Sequence, residues 1–281
     1  MIEGINMSHP FERILLATEH SEFDSGSERV AFDLARRCNT LLAAVVPVLS
    51  NPEYEIIAPQ LAEHAEQEAA ANIKMLYEAA ANAGVQLEVS ARRGAELYRE
   101  IVQEAVDRQS DLIVIRRRGK RSFLSNLLVG EMVSKVVGHS PCNVLLVPRE
   151  AKLWSHGILA AVDNSPNAEH VAHVAAQVAK KCGLPLTLVG VISHETDTLR
   201  VMAERTIGHV LATASSVGVN AQSRILVGKP FEQILNAAKE ISADLIVVGR
   251  HGESNLIRTP FGGTTHKVGG LADIPVLVVR A

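Results

Sequence analysis

The feature that most constrains this chain is an internal repeat, because three segments of the first half return in the second half. The repeated segments are ILLATEHS and ILAAVDNS, from Ile14 and Ile158; DLIVIRRRG and DLIVVGRHG, from Asp111 and Asp244; and the apolar ends NVLLVP and PVLVVR, from Asn143 and Pro275. Solenoid proteins have much shorter units, up to about 50 residues. The repeat therefore predicts two domains of one fold, at residues 1–150 and 151–281.

Composition and charge exclude several classes of protein. The chain has 281 residues, of which 47% are hydrophobic, and its net charge is -3. That charge gives no bulk attraction to nucleic acid or to an anionic membrane. No apolar run reaches the roughly 18 residues that a membrane helix needs. We therefore expect no nucleic-acid partner and no membrane insertion.

The N-terminal segment and the cysteines bear on the cellular compartment of the protein. Residues Met1–Pro10 are polar and lack the apolar centre of a signal peptide. Cys38, Cys142 and Cys182 are too few for a disulfide framework, and we expect them to be packing thiols. The sequence therefore predicts a reducing, cytoplasmic location.

Each copy alternates short β-branched runs with longer helical stretches, which favours an α/β fold with a mostly parallel sheet covered on both faces. The predicted strands are Ile14–Thr18, Thr40–Val46, Gln86–Ala91, Leu112–Ile115 and Val144–Val147, then Ile158–Val162, Leu186–Val191, Gln222–Val227, Leu245–Val248 and Val276–Val279. The predicted helices are Ser25–Cys38, Pro59–Ala83, Ala95–Gln109 and Gly130–His139, then Asn167–Cys182, Thr198–Val217, Pro230–Ile241 and Thr264–Leu271. Ligands of such sheets bind beyond the carboxyl ends of the strands.

The second copy carries a candidate nucleotide site at those strand ends. Asp163 follows the first strand, residues 249–252 read Gly-Arg-His-Gly after the fourth, and residues 262–265 read Gly-Gly-Thr-Thr at the start of a helix. Glycines let the backbone approach a ligand, and a helix N-terminus suits phosphate. Hydroxyls of Thr264 and Thr265 could donate further hydrogen bonds, and a carboxylate could accept them from a ribose or a base amine. The alternative is a glycine-rich surface loop without a ligand.

These residues resemble the motifs of the universal stress protein family. The family has an Asp at the end of its first strand, Gly-x2-Gly-x9-Gly-(Ser/Thr) after its fourth strand, and a final Pro-Val-Leu-Val-Val. The matching residues here are Asp163; Gly249, Gly252 and Gly262; and Pro275–Val279. One position departs, since Gly263 stands where the family has Ser or Thr and Thr264 comes next.

The resemblance implies two tandem domains of the adenine-nucleotide-alpha-hydrolase-like (Rossmann-like) type, each with a five-stranded, mostly parallel sheet and helices on both faces. It also implies ATP as the bound nucleotide, with Mg2+ as an optional companion. Asp163 and Val191 would face the adenosine and the glycines would surround the phosphates, while Arg250 and His251 would face either phosphate or solvent. The predicted ATP-binding residues are Val162, Asp163, Val191, Gly249, Arg250, His251, Gly252, Gly262, Gly263, Thr264 and Thr265.

The first copy departs from the motif at the same places. Glu19, Arg116 and Glu131 replace the Asp, the first glycine and the Ser/Thr, while Gly119 and Gly130 remain. An arginine would fill phosphate space and a glutamate would repel a triphosphate from the helix dipole, so we expect no ATP in this copy. The basic cluster of Arg116, Arg117, Arg118, Lys120 and Arg121 either binds another anion or is a solvated loop that Glu19 and Glu131 partly neutralise.

Three functions are compatible with these observations. The first is a nucleotide-binding stress-response regulator, whose last strands pair within the chain as a pseudo-dimer and which dimerises again. No residue is placed to activate water, so we expect at most slow ATP hydrolysis. The second is an interaction module with both pockets inactive. The third is an adenylating or nucleotidyl-transfer enzyme, but the sequence lacks the Ser-Gly-Gly-x-Asp-Ser or His-x-Gly-His motif that such an enzyme would need.

A metal site has little support in the sequence. His170 and His173 lie three residues apart on a predicted helix, but no further metal ligand follows at recognisable spacing.

Overall fold

The computed structural model describes residues 10–50, 52–57, 59–117, 129–252 and 262–280, which contain ten strands and nine helices. The strands are β1 Ile14–Ala17, β2 Leu42–Leu49, β3 Leu87–Gly94, β4 Leu112–Arg116, β5 Asn143–Val147, β6 Ile158–Val162, β7 Leu186–Ile192, β8 Gln222–Val227, β9 Leu245–Gly249 and β10 Val276–Val279. The helices are α1 Ser25–Cys38, α2 Pro52–Ile57, α3 Pro59–Asn82, α4 Leu97–Asp107, α5 Glu131–His139, α6 Ala168–Cys182, α7 Asp197–Val217, α8 Pro230–Glu240 and α9 Gly263–Leu271.

All ten strands form one sheet in the order β3-β2-β1-β4-β5-β10-β9-β6-β7-β8. The strands of each copy are parallel to one another. The last strands of the two copies pair antiparallel, with Val276 opposite Leu146 and Val278 opposite Val144. The predicted α/β fold is therefore confirmed, and its two five-stranded sheets are the halves of one continuous sheet.

Helices cover both faces of this sheet because its central strands are apolar on both sides. All five residues of β4 are buried, and its Leu112 and Ile113 belong to different hydrophobic clusters. One cluster lies under α1, α3, α6 and α7, and the other lies under α4, α5, α8 and α9. Each fully buried Leu or Ile side chain contributes about 1.5–3 kcal/mol to stability.

Most predicted elements are present, with ends that shift by a few residues. The strand predicted at Thr40–Val46 runs from Leu42 to Leu49, because its pairing with β3 continues as far as Gly94. The short helix α2 was not predicted, since six residues give too little periodicity for a helix to be recognised. Among the described helices, none is long and apolar enough to cross a membrane.

The three cysteines occupy packed positions. Cys38 and Cys182 end the equivalent helices α1 and α6, and Cys182 Sγ accepts a hydrogen bond from Trp154 Nε1 at 3.4 Å. Burial raises the pKa of the Cys38 thiol to about 11, and burial raises the pKa of Cys142 likewise to about 11. These two thiols are therefore protonated at neutral pH and are poor nucleophiles.

Candidate functional site

A cavity of about 370 Å³ opens at the carboxyl ends of β6, β7 and β9 in the second copy. All of the predicted ATP-binding residues except Arg250 line it: Val162, Asp163, Val191, Gly249, His251, Gly252, Gly262, Gly263, Thr264 and Thr265. The sequence did not predict the apolar wall from the helices, which comprises Ala168, Val171, Pro230 and Ile234. Those residues have the ordinary periodicity of core-facing helix positions, so nothing local distinguishes them from the core.

The glycines of the motif are required by close packing around the cavity. A Cβ atom at Gly252 would collide with Asp163 Oδ2, and one at Gly249 would lie 3.2 Å from Val171 Cγ2. The Gly262 N–H donates to the Arg250 carbonyl at 2.8 Å, which brings the start of α9 beside the end of β9. The three glycines therefore let the strand end, the helix start and the Asp163 carboxylate converge on one space.

The N-terminus of helix α9 lines this cavity. Gly262 is its N-cap and provides no side-chain cap, while Gly263 and Thr264 begin the helix, are exposed and line the cavity. The N–H groups of a first helical turn have no partner inside the helix, and they carry the positive end of its dipole. Such a terminus stabilises a phosphate or carboxylate.

Thr265 has a different role from the predicted phosphate donor. Its side chain is buried, and Oγ1 donates to the Gly249 carbonyl at 2.7 Å. The hydroxyl therefore ties the first turn of α9 to the end of β9. Thr264, which is exposed at the cavity, keeps its hydroxyl available to a ligand.

The side chains of Arg250 and His251 diverge. His251 lines the cavity, and burial together with the nearby Arg250 lowers its pKa, so the imidazole is neutral at pH 7. Arg250 is half-buried, and its Nη1 donates to the Gly138 carbonyl of α5 at 3.4 Å. The Arg250 guanidinium thus reaches a carbonyl of the first copy, a placement that depends on how the copies pack.

A second cavity of about 220 Å³ adjoins the first and shares Val162, Asp163, Val191 and Pro230 with it. Its other wall comes from β7 and α7, and comprises Gly190, Ile192, Ser193, Leu199, Met202, Ala203, Thr206 and Ile207, with Asn164 at the edge. One compartment is thus a mainly apolar recess, and the other ends at the α9 N-terminus. Asp163 lies between them, where it can accept hydrogen bonds from a ligand that spans both.

The first copy has polar and charged side chains at several of the equivalent positions. Alignment of the repeats places Thr18, Glu19, Ser21, Asp24 and Arg116 at the positions of the cavity residues Val162, Asp163, Ser165, Ala168 and Gly249. Arg116 Nη1 lies 2.8 Å from Asp24 Oδ2 and 3.2 Å from Ser21 Oγ, and Nη2 lies 3.3 Å from Glu19 Oε2. The side chain that was expected to exclude phosphate is thus held by carboxylates of its own copy.

The interpretation of the basic cluster as a solvated loop is wrong for Arg116, which is only 6% exposed. Glu131 is exposed and pairs with Lys135 at 3.0 Å. Arg117 is half-buried and donates to the Ala272 carbonyl of the second copy. Arg118, Gly119, Lys120 and Arg121 lie outside the described residues.

Metal ligands do not cluster in the described ranges, where no group of three or more His, Cys, Asp or Glu side chains could hold an ion. His170 is exposed and His173 is half-buried on α6. In the described part of the large cavity, Asp163 is the one carboxylate in the lining. Mg2+ takes phosphate oxygens and waters readily, so this site fits an ion that arrives with a nucleotide better than a resident one.

Comparison with known proteins gives the same family for both copies. The profile of the universal stress protein family matches residues 10–148 and 156–280. The universal stress protein YxiE of Bacillus subtilis is 33% identical over 114 residues, which cover 39% of this chain and 77% of the relative. A universal stress protein of Synechocystis is 26% identical over 170 residues, and this match spans 60% of the chain and only 58% of the relative.

A solved structure extends the similarity to the full chain. The crystal structure of a universal stress protein from Archaeoglobus fulgidus aligns over 97% of both chains, with a TM-score of 0.68 and 23% identity. That likeness shows a common fold, and the family profile covers nearly the whole sequence in two segments. The chain therefore belongs to the universal stress protein family.

Proposed function

We propose that this protein binds one ATP in the second copy and acts as a nucleotide-responsive regulator in a stress response. The observation that carries the proposal is the convergence of Asp163, the motif glycines and the α9 N-terminus on one cavity of about 370 Å³. A volume of that size lies within the range of small-molecule sites. ATP would act by stabilising one conformation over another, since a ligand shifts a population by its differential affinity.

The two compartments match the two chemical ends of a nucleotide. The triphosphate would lie at the first turn of α9, where Gly263 and Thr264 are exposed. The ribose would lie at Asp163, and the base would enter the adjoining recess beside Val191. Mg2+ would be carried in on the phosphates.

The first copy would serve as a structural partner. Its equivalent space contains the paired Arg116 and Asp24, so a second nucleotide would have to displace a buried ion pair. In the proposed arrangement, the antiparallel β5–β10 contact makes the two copies an intrachain pseudo-dimer.

Titration calorimetry with ATP tests the proposal on the intact chain. We expect one ATP per chain, no detectable binding to Gly252→Val, and about 10- to 100-fold weaker binding to Asp163→Ala, since a charged hydrogen-bond partner is lost. The Gly252 variant should act locally, because its new side chain meets the carboxylate of Asp163. Thermal melting of each variant establishes that it is folded.

The repeat supplies a matched control in Glu19→Ala, which changes the residue equivalent to Asp163 in the first copy. This variant should bind ATP as the wild type does. Absence of binding at millimolar ATP would reject the proposal in favour of an interaction module, and two ATP per chain would reject the structural role of the first copy. Multiple-turnover release of pyrophosphate would instead indicate a nucleotidyl-transfer enzyme.

A further inference from the structure

Helix α9 begins at the cavity of the second copy and packs on α8 and β10 of that copy, but it also contacts the first copy. Gly269 lies so close that a Cβ atom there would be 2.8 Å from Leu146 Cδ1 and 3.4 Å from Val129 Cγ2. His266, one turn earlier, hydrogen-bonds to the Val129 backbone. The helix that offers its N-terminus to the ligand therefore also contacts residues that belong to the other half of the chain.

Two equivalent arginines connect the copies in a reciprocal way. Arg117 follows β4 and donates to the carbonyl of Ala272, the C-cap of α9. Arg250 follows β9 and donates to the carbonyl of Gly138 in the last turn of α5. Carbonyls at a helix C-terminus lack intrahelical donors and carry the negative end of the dipole, so each guanidinium is well placed to hold the partner helix.

The backbone N–H of each arginine is also hydrogen-bonded, to a strand of its own copy. The Arg117 N–H donates to Val147 at 2.9 Å, and the Arg250 N–H donates to Val279 at 3.0 Å, so each arginine extends the pairing of its own strands. Both residues are half-buried. Each arginine thus joins a strand end of one copy to a helix end of the other.

We propose that Arg117 and Arg250 are positioning residues of the phosphate site, through which the first copy sets the place of α9 and of the Gly249–Gly252 loop. The inference rests on the proposed ATP binding and assigns the first copy a part in it. Arg117 holds the far end of the helix whose first turn meets phosphate. Arg250 lies between Gly249 and His251, both of which line the cavity.

The proposal predicts an effect on phosphate binding alone. The walls of the adjoining recess come from β6, β7 and α7, together with Pro230, whereas the two arginines donate to the carbonyls of Ala272 and Gly138. Loosening α9 should therefore weaken the binding of ATP and leave the binding of adenosine in its recess unchanged. A contact that merely stabilised the fold would change the two affinities together or change neither.

Calorimetry on full-length Arg117→Gln, with ATP and with adenosine as separate ligands, tests this selectivity. We expect ATP affinity to fall about tenfold, in the usual range of coupling between sites, and adenosine affinity to stay within about twofold. Arg29→Gln is the matched control, because Arg29 also donates to backbone carbonyls, those of Arg149 and Ala151, but lies away from α9. Arg29→Gln should bind both ligands as the wild type does.

A second variant tests the same proposal in case Arg117→Gln does not fold. Gly269→Ala places a methyl group against Leu146 Cδ1, the end of a flexible side chain, so it should fold and still displace α9. It should show the same loss for ATP alone. Suppose that the wild type binds ATP. If both variants then bind ATP as tightly as the wild type, or lose affinity for adenosine as much as for ATP, only the positioning role is overturned. If wild type binds no ATP, the proposed function fails and the positioning role falls with it.

Discussion

At the scale of single residues, the two copies differ in what occupies the same space. In the second copy, Ala168 and Gly249 leave a cavity. In the first copy, the equivalent residues are Asp24 and Arg116, which are 1% and 6% exposed and form an ion pair at 2.8 Å. A buried charge is tolerated only with a partner, because desolvation of an unpaired ion costs several kcal/mol. The stability of the first copy therefore depends on the presence of both Asp24 and Arg116.

Arg116→Met should destabilise the protein by about 3–5 kcal/mol, because it leaves Asp24 buried without its cation. Chemical denaturation measures the change in the free energy of unfolding. Adding Asp24→Ala to this variant should recover part of the loss, since the uncompensated charge is then gone.

Arg36→Ala is the control, because Arg36 forms an ion pair with Asp33 at the surface, where its side chain is 62% exposed. Such a pair contributes about 0.2–1 kcal/mol. Equal losses in Arg116→Met and Arg36→Ala would contradict the role given to the buried pair.

At the scale of elements, the repeated DLIV segment has a second role besides forming β4 and β9. Asp111 accepts hydrogen bonds from the N–H groups of Glu12 and Arg13, at 2.7 and 3.2 Å, just before β1. Asp244 accepts them from three successive N–H groups, those of residues 155–157, just before β6. Each aspartate thus fixes where the first strand of its copy enters the sheet.

Asp244→Asn should lower the free energy of unfolding by about 1–3 kcal/mol at neutral pH, since the N–H groups lose a charged acceptor. Burial acts to raise the pKa of Asp244, but the hydrogen bonds from residues 155–157 outweigh it and hold the pKa below its usual value. A lowered folded-state pKa stabilises the protein above the unfolded value of about 3.9, and this stabilisation is lost as pH falls through the folded value.

Denaturation across a pH series should therefore show the largest gap between wild type and Asp244→Asn near neutral pH, closing in acid. Asp273→Asn, at an exposed position after α9, should show little change at any pH. A gap for Asp244→Asn that stays constant into strong acid would mean that the carboxylate charge is not what holds the strand entry.

At the scale of the whole molecule, the antiparallel contact between β5 and β10 joins ten strands into one sheet. Without it, each copy would expose a row of unpaired backbone groups along a largely apolar last strand. Exposed edges of that kind bind other strands. The join buries both edges, and Arg280 adds a hydrogen bond from its N–H to Asn143 Oδ1 at 3.0 Å.

Residues 1–150 and 151–281 expressed as separate chains should therefore associate when mixed, as a 1:1 complex in light scattering. The second half alone should form a homodimer through β10, since its exposed edge can pair with a second copy of itself. Two monomeric halves that do not associate would contradict the importance given to this contact.

The candidate site could be predicted where its chemistry is local in sequence. Asp163, Gly252 and Gly262 line the cavity as expected, because strand ends and a helix start bring them together in any sheet of this type. The roles of Thr265 and Arg250 could not be predicted. Their hydrogen bonds go to Gly249 and to Gly138, 16 and 112 residues away, and no local pattern contains those acceptors.

The sequence by itself determined the repeat, the alternation of strands and helices, and the asymmetry between the copies, since these follow from residue type and spacing. Only the tertiary structure decided how that asymmetry is realised. Arg116 pairs inside the first copy with Asp24, 92 residues away, and α9 contacts Leu146 and Val129 of the copy to which it does not belong. The physical reason is that ion pairing and close packing act over a few ångströms in space. They join segments that are far apart along the chain, and the local sequence of one segment does not identify its partner.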